Sequence, residues 1–323
     1  MLPALRRVLK LAILSTSIVV GGAFRLLYLS CQPFEGDQIR DCFVLRSVIC
    51  GKLVFRGPSA EPFPVLGPLY YYVVAPSMLF SRESEGVCAW IAVLNTFSIL
   101  LCYLLGRELF GEVVGLFSAL LYAVSPTCIV FSKFIWNPNV LPLFTTALFY
   151  STAKVLKGSS KHVVAVAPLA AAAAQIHPSG GAFTLVLLLL YVIYRPKITS
   201  KALLTAIIVS MPLIASSIFA AASTEYHHLP FTGHVKLPVD KAVIKVMIEV
   251  ASGYTFPYRA HSIDTLILAA KLVHLALFTA GILYISYVSM KRWRRADPPY
   301  MLSFLWLIIP YLLLNYSYVG TVK

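Results

Sequence analysis

Polar positions interrupt this chain in short bursts, and long apolar stretches fill the intervals. The apolar stretches lie at about residues 9–30, 86–105, 113–131, 140–156, 162–176, 180–194, 202–222, 263–290 and 300–317. A helix needs roughly 20 such residues to cross a bilayer core, and somewhat fewer where protein lines its path. The pattern predicts an all-α polytopic membrane protein with about nine transmembrane helices. One stretch, "LGPLYYYVVAPSMLF" (66–80), is a problem case. It carries Pro68 and Pro76, and at 1.5 Å per residue it reaches only about 22 Å.

Charge parity decides that stretch. If 66–80 does not cross and the N-terminus lies inside, the inner segments are Met1–Lys10, "GRELFGE" (106–112), "KGSSK" (157–161), "RPKITSK" (195–201) and "KRWRRADPP" (291–299). All are basic or mixed. Ten of the 13 acidic residues then fall in, or at the edge of, the outer segments 31–85, 132–139, 177–179 and 223–262. If 66–80 did cross, "RPKITSK" and "KRWRR" would lie outside, against the positive-inside rule. The expectation is nine spans with a cytoplasmic N-terminus. Residues 66–80 form a juxtamembrane or re-entrant segment, with tyrosines 70–72 at the interface.

Composition agrees. The chain of 323 residues is 59% hydrophobic and 12% charged, where a soluble domain is about a quarter charged. That surplus excludes a single water-soluble core. The net charge of +14 falls in clusters between apolar stretches and reads as topology rather than as a nucleic-acid surface. Arg6, Arg7 and Lys10 before the first stretch resemble a signal peptide, but no small-residue cleavage pattern follows, so a retained span is expected. Arg25 near its outer end suits snorkelling. "LAAAAAQI" (169–176) suits close helix packing. The six cysteines contain no C-x-x-C pair. The chain reads as one domain, 1–323, with long outer loops at 31–85 and 223–262.

The outer side gathers the chemistry: "FEGDQIRD", "SKFIWNPN" (132–139), "QIHPSG" (175–180), and a last loop with His227, His228, His234, Tyr254, Tyr258, Arg259 and His261. The inner segments show only basic clusters. Any chemistry is therefore expected outside, or in a cavity opening outside.

In order, "GDQIRD", "GPLYYYVVAP", "LLGRELFGEVVGLFSALLYAVSPTCIVFSKFIWNPNVLPLF" and "QIHPSG" resemble the GT-C membrane glycosyltransferases. The nearest branch is the family-39-like one, related to protein mannosyltransferases and lipid A aminoarabinose transferases. The resemblance covers about residues 5–200. It implies a helical bundle with juxtamembrane helices in the first outer loop. It also implies hexosyl or pentosyl transfer from a polyprenyl-phosphate sugar donor to a glycan, lipid or protein acceptor on the extracytoplasmic face, with inversion by single displacement. The partners are the donor, the acceptor and membrane lipid, without nucleic acid.

Asp37 falls at the family's first-loop acid, the general base. An ordinary carboxylate is a weak base at neutral pH, and burial strengthens it. The plain alternative is that Asp37 caps a short helix. Asp41 lies one turn on, either orienting substrate or sharing a metal, or in a solvated pair with Arg40. Lys133 stands where relatives often carry arginine and suits the donor phosphate as a point charge; its alternative is a snorkelling lysine. Asn137 suits sugar hydroxyls, or is simply part of a turn. Several relatives carry a second aspartate in that loop; its absence here puts a two-aspartate metal bridge in doubt. His177 suits phosphate or acceptor, although a histidine at a span end is more often structural. Tyr70 and Trp136 suit sugar stacking or interfacial anchoring. Arg259 suits the lipid phosphate. No metal site is indicated and no cofactor is assigned; metal dependence is left open.

Two other classes compete. A transporter or flippase for lipid-linked sugars would show inverted repeats, discontinuous mid-bilayer helices or ionisable residues deep in its spans, and none is evident. A non-catalytic or truncated GT-C relative would fit the departures at Lys133 and Asn137.

Overall fold

The computed structural model describes residues 2–32, 34–59, 65–223, 265–291 and 297–306. Among these residues the chain is helical, without a strand. The helices are α1 (Leu2–Leu26), α2 (Gly36–Ile49), α3 (Leu69–Val74), α4 (Ser77–Phe80), α5 (Ser84–Phe110), α6 (Glu112–Val124), α7 (Pro126–Phe131), α8 (Leu141–Leu156), α9 (Val163–Ile176), α10 (Ser179–Tyr194), α11 (Ser200–Ala222) and α12 (Thr265–Lys291). Residues 298–306 begin a further helix. Within the described residues, three helical segments are long and apolar enough to cross a membrane: Ala4–Leu26, Ser84–Phe110 and Ser200–Ala222. Helices α6, α9 and α10 are apolar but shorter, at 13, 14 and 16 residues.

The helices pack as a bundle. α1 lies against α5 and α6, α5 against α8, α8 against α9, and α9 against α10 and α11. Small residues set the closest approaches. A Cβ on Gly106 of α5 would stand 3.0 Å from the Gly115 Cα of α6, so these backbones touch. The turn between them runs through Gly111 at φ 94°, a left-handed conformation that glycine adopts at no steric cost. The alanine run in α9 plays the packing role its composition predicts. A Cβ on Gly180 of α10 would lie 2.1 Å from the Ala173 carbonyl oxygen. Gly180→Ala should therefore destabilise the fold by about 1–3 kcal/mol. Gly181→Ala, with nothing within 4 Å of the added methyl, should be neutral. Thermal unfolding of the two variants in one detergent checks this contrast.

Two sequence expectations change. The stretch expected as one span over 113–131 breaks at Ser125–Pro126 into α6 and α7. Proline has no N–H, so the Tyr122 carbonyl loses its intrahelical donor. The substitute is Arg25, which is fully buried rather than snorkelling. Its Nη2 donates to the Tyr122 oxygen at 2.8 Å, and its Nη1 to the Ala123 and Gly21 oxygens, each at 2.9 Å. Its Nε donates to Ser132 Oγ at 3.0 Å.

The second change is in 66–80, which folds as the two short helices α3 and α4. One face of the pair is buried, while Tyr72, Leu79 and Phe80 stay exposed on the other. Tyr70, Tyr71, Val74 and Met78 are buried in a cluster with Cys42 and Leu45 of α2, Val87 and Ile91 of α5, and Ile135 and Val140. This cluster is a small apolar layer that docks α2, α3 and α4 on one end of the bundle.

Candidate functional site

The α2 end of the bundle holds most of the candidate residues, and α2 is where their placement begins. Its N-terminus is closed by a capping box: Glu35 precedes the helix, and the Glu35 N–H donates to Gln38 Oε1 at 3.1 Å. Glu35, not Asp37, is the cap. Asp37 sits in the first turn, where a negative charge complements the helix dipole. The buried face carries Gln38, Asp41, Cys42 and Leu45 at helical spacing. That geometry separates the two acids. The Asp37 side chain is 60% exposed and that of Asp41 only 1%.

Arg40 joins them. Its Nη1 donates to Asp37 Oδ1 at 2.8 Å, and its Nε and Nη2 donate to Asp41 Oδ1 at 3.0 and 2.9 Å. The Tyr71 hydroxyl, from α3, donates to the same Asp41 oxygen at 3.0 Å. Asp41 is thus a buried, four-residue node and not half of a solvated ion pair. Burial pushes its carboxyl pKa up, against the opposing pull of Arg40 and the tyrosine hydroxyls. Tyr70 is fully buried, with its ring 5.3 Å from that of Tyr71, so it has no open face for a sugar. Its stacking role is corrected to packing beside Asp41.

Side-chain amides bring two further segments to this end. The Gln38 amide donates to the Ile135 carbonyl at 3.1 Å, which ties α2 to the loop 132–140. The Asn137 amide donates to the Ile176 carbonyl at 2.6 Å, which ties that loop to the end of α9. Asn137 is 3% exposed, so it fastens the loop. His177 follows at once, and its Nδ1 lies 2.7 Å from Ser179 Oγ. Burial lowers the His177 pKa and favours a neutral ring. Trp136 is 39% exposed, flanked by Phe131 and Phe134. Lys133 turns toward α1, 7% exposed, with its ammonium donating to the Leu27 carbonyl at 2.5 Å. Arg259 and the histidines of 227–261 lie outside the described residues.

Three polar residues with structural weight were not singled out from sequence. Gln38 is described above. Gln175, 2% exposed, accepts from the Leu69 N–H at 3.2 Å and donates to Ser216 Oγ at 2.9 Å, so it pins α3 to α9 and α11. Asn95, 2% exposed within α5, donates to the Asn139 carbonyl at 2.8 Å and accepts from the Tyr122 hydroxyl at 3.1 Å. The available signal was polarity itself: an amide within an apolar stretch must find a partner, because unsatisfied polar groups there are costly. Among the described residues, no group of three or more His, Cys, Asp or Glu is placed to hold a metal ion.

The apolar helical bundle draws acids, amides and a histidine to one end, and a family match over about half of the chain supports membership of the GT-C superfamily. Residues 64–221 match the family model described as dolichyl-phosphate-mannose-protein mannosyltransferase. The matched region runs from α3 through most of α11 and includes Tyr71, Lys133, Asn137 and His177; α2 precedes it. No curated protein matches the chain.

Proposed function

We propose that the protein transfers a hexosyl or pentosyl unit from a polyprenyl-phosphate donor to an acceptor hydroxyl on the extracytoplasmic face, with Asp37 as the base. The observation that best supports this reading is the meeting of α2, the loop 132–140 and the end of α9, held by the Gln38 and Asn137 amides. In this reading the chain crosses the membrane nine times with its N-terminus inside, and the α2 end faces out. The acceptor is a glycan, a lipid or a protein.

The reaction is a single displacement. The acceptor oxygen attacks the anomeric carbon as its proton passes to the Asp37 carboxylate. The bond from that carbon to the phosphate oxygen breaks, and its electron pair leaves on the polyprenyl phosphate. The configuration inverts. Asp37 is the member of the acid pair that an acceptor can reach; the burial expected at Asp37 falls on Asp41 instead. Arg40 suits the departing phosphate. A guanidinium has five N–H donors, and three are engaged by Asp37 and Asp41, which leaves two. Lys133, expected at the phosphate, instead satisfies the end of α1. His177 serves the acceptor side as a neutral hydrogen-bonding group.

The test is transfer by the purified protein in nanodiscs from radiolabelled polyprenyl-phosphate sugars to a mixed acceptor pool. Label moving from donor to acceptor supports the reading. Label that crosses a proteoliposome membrane while staying on the donor would establish transport in its place.

A further inference from the structure

Arg40 and Asp41 are adjacent on α2, and adjacent side chains on a helix project about 100° apart and do not face each other. Yet Arg40 bends back so that two of its nitrogens meet one oxygen of Asp41. Something must hold that carboxylate as a fixed target. The holder comes from another element: the Tyr71 hydroxyl of α3 donates to the same Oδ1. Tyr71 is itself 2% exposed, so its hydroxyl has little recourse to water. Its place is set independently of α2, because Gln175 anchors the start of α3 to α9 and α11.

We infer that Tyr71, acting through Asp41, is a positioning residue that aims Arg40 at the donor's phosphate. This inference rests on the lipid-phosphate reading above. Asp41 fixes one edge of the guanidinium and Asp37 meets the other, which leaves two N–H groups to donate to an anion. Without the Tyr71 bond, the Asp41 carboxylate loses the well-aligned hydrogen bond that another element gives it. The guanidinium then samples several orientations, and phosphate binding weakens. The proton transfer at Asp37 is not altered directly.

Tyr70 provides the control. It is adjacent, in the same cluster and more buried, and its hydroxyl also lies beside Asp41, but without the hydrogen-bond geometry that Tyr71 has. A general packing effect would appear equally in both phenylalanine variants. A positioning effect would be clearly larger at Tyr71.

The experiment uses the full chain in nanodiscs, as wild type, Tyr71→Phe, Tyr70→Phe and Arg40→Gln. It reads donor KM and kcat, together with the affinity for geranyl phosphate as a sugar-free probe. Tyr71→Phe should raise donor KM and weaken geranyl phosphate binding by roughly tenfold, with kcat within about twofold. Arg40→Gln should lose more, and Tyr70→Phe should lose clearly less than Tyr71→Phe. Tyr71→Phe within twofold of wild type on both measures, while Arg40→Gln is impaired, overturns the inference and leaves the donor reading intact. Equal losses in both tyrosine variants also overturn it. A wild type that neither transfers sugar nor binds geranyl phosphate overturns the donor reading, and the inference with it.

Discussion

Asp37→Asn is expected to slow sugar transfer by roughly a thousandfold while leaving affinity for geranyl phosphate within a few fold of wild type. A positioned general base contributes about 10²- to 10⁴-fold, and asparagine cannot accept the acceptor's proton. The substitution is otherwise gentle. Asparagine has nearly the same volume, and its Oδ1 still accepts from Arg40 Nη1, which meets Asp37 at 2.8 Å. The side chain is 60% exposed, so no buried partner is orphaned and stability should stay within about 0.5 kcal/mol. The signature is a fall in kcat with donor binding retained, the opposite of what Tyr71→Phe should show. Full-rate transfer by Asp37→Asn would remove Asp37 from the reaction. Asp41 would be a poor replacement, since its carboxylate is 1% exposed and already accepts from Arg40 and Tyr71.

Much of the bundle was legible because helix position follows from local pattern. The apolar stretches coincide with α1, α5, α8, α9, α10 and α11, and the alanine run in α9 forecast the close contact with Gly180. The short helices α3 and α4 fall inside 66–80, the stretch whose two prolines and short reach set it apart. The partners of polar side chains were less legible, because they depend on residues distant in sequence. Arg25 reads locally as a snorkelling cation; only Pro126, a hundred positions on, creates the free carbonyl that draws it inward. "GDQIRD" shows two acids one turn apart, but which of them is buried depends on the face that α2 turns to Tyr71. Lys133 shows the same limit. Its charge is visible in sequence, but its carbonyl partner at Leu27 belongs to another helix. The pairing of Gln38 with Ile135 and of Asn137 with Ile176 needed the fold itself.

Arg25→Met should be the most destabilising single substitution at this end of the bundle, at about 3–5 kcal/mol. Methionine fills similar space without a donor. The carbonyls of Gly21, Tyr122 and Ala123 and the Ser132 hydroxyl lose the guanidinium together. Each buried group left unsatisfied costs about 1–3 kcal/mol, and some of that returns as the surroundings relax. The charge itself is replaced without loss, since removing a buried cation also removes its desolvation cost; the penalty comes from the carbonyls that remain. Arg25→Lys should fall between, because an ammonium lacks the planar fork that reaches α1, α6 and Ser132 at once. Unfolding by heat or denaturant in detergent reads the loss. A Met variant within 1 kcal/mol of wild type would show that the α6–α7 break supports itself. The effect should also reach the site. Ser132 begins the loop that carries Trp136 and Asn137, and its release loosens the tie between that loop and the end of α9. Near the melting transition, Arg25→Met should therefore lose geranyl phosphate binding at a lower temperature than it loses helical circular dichroism.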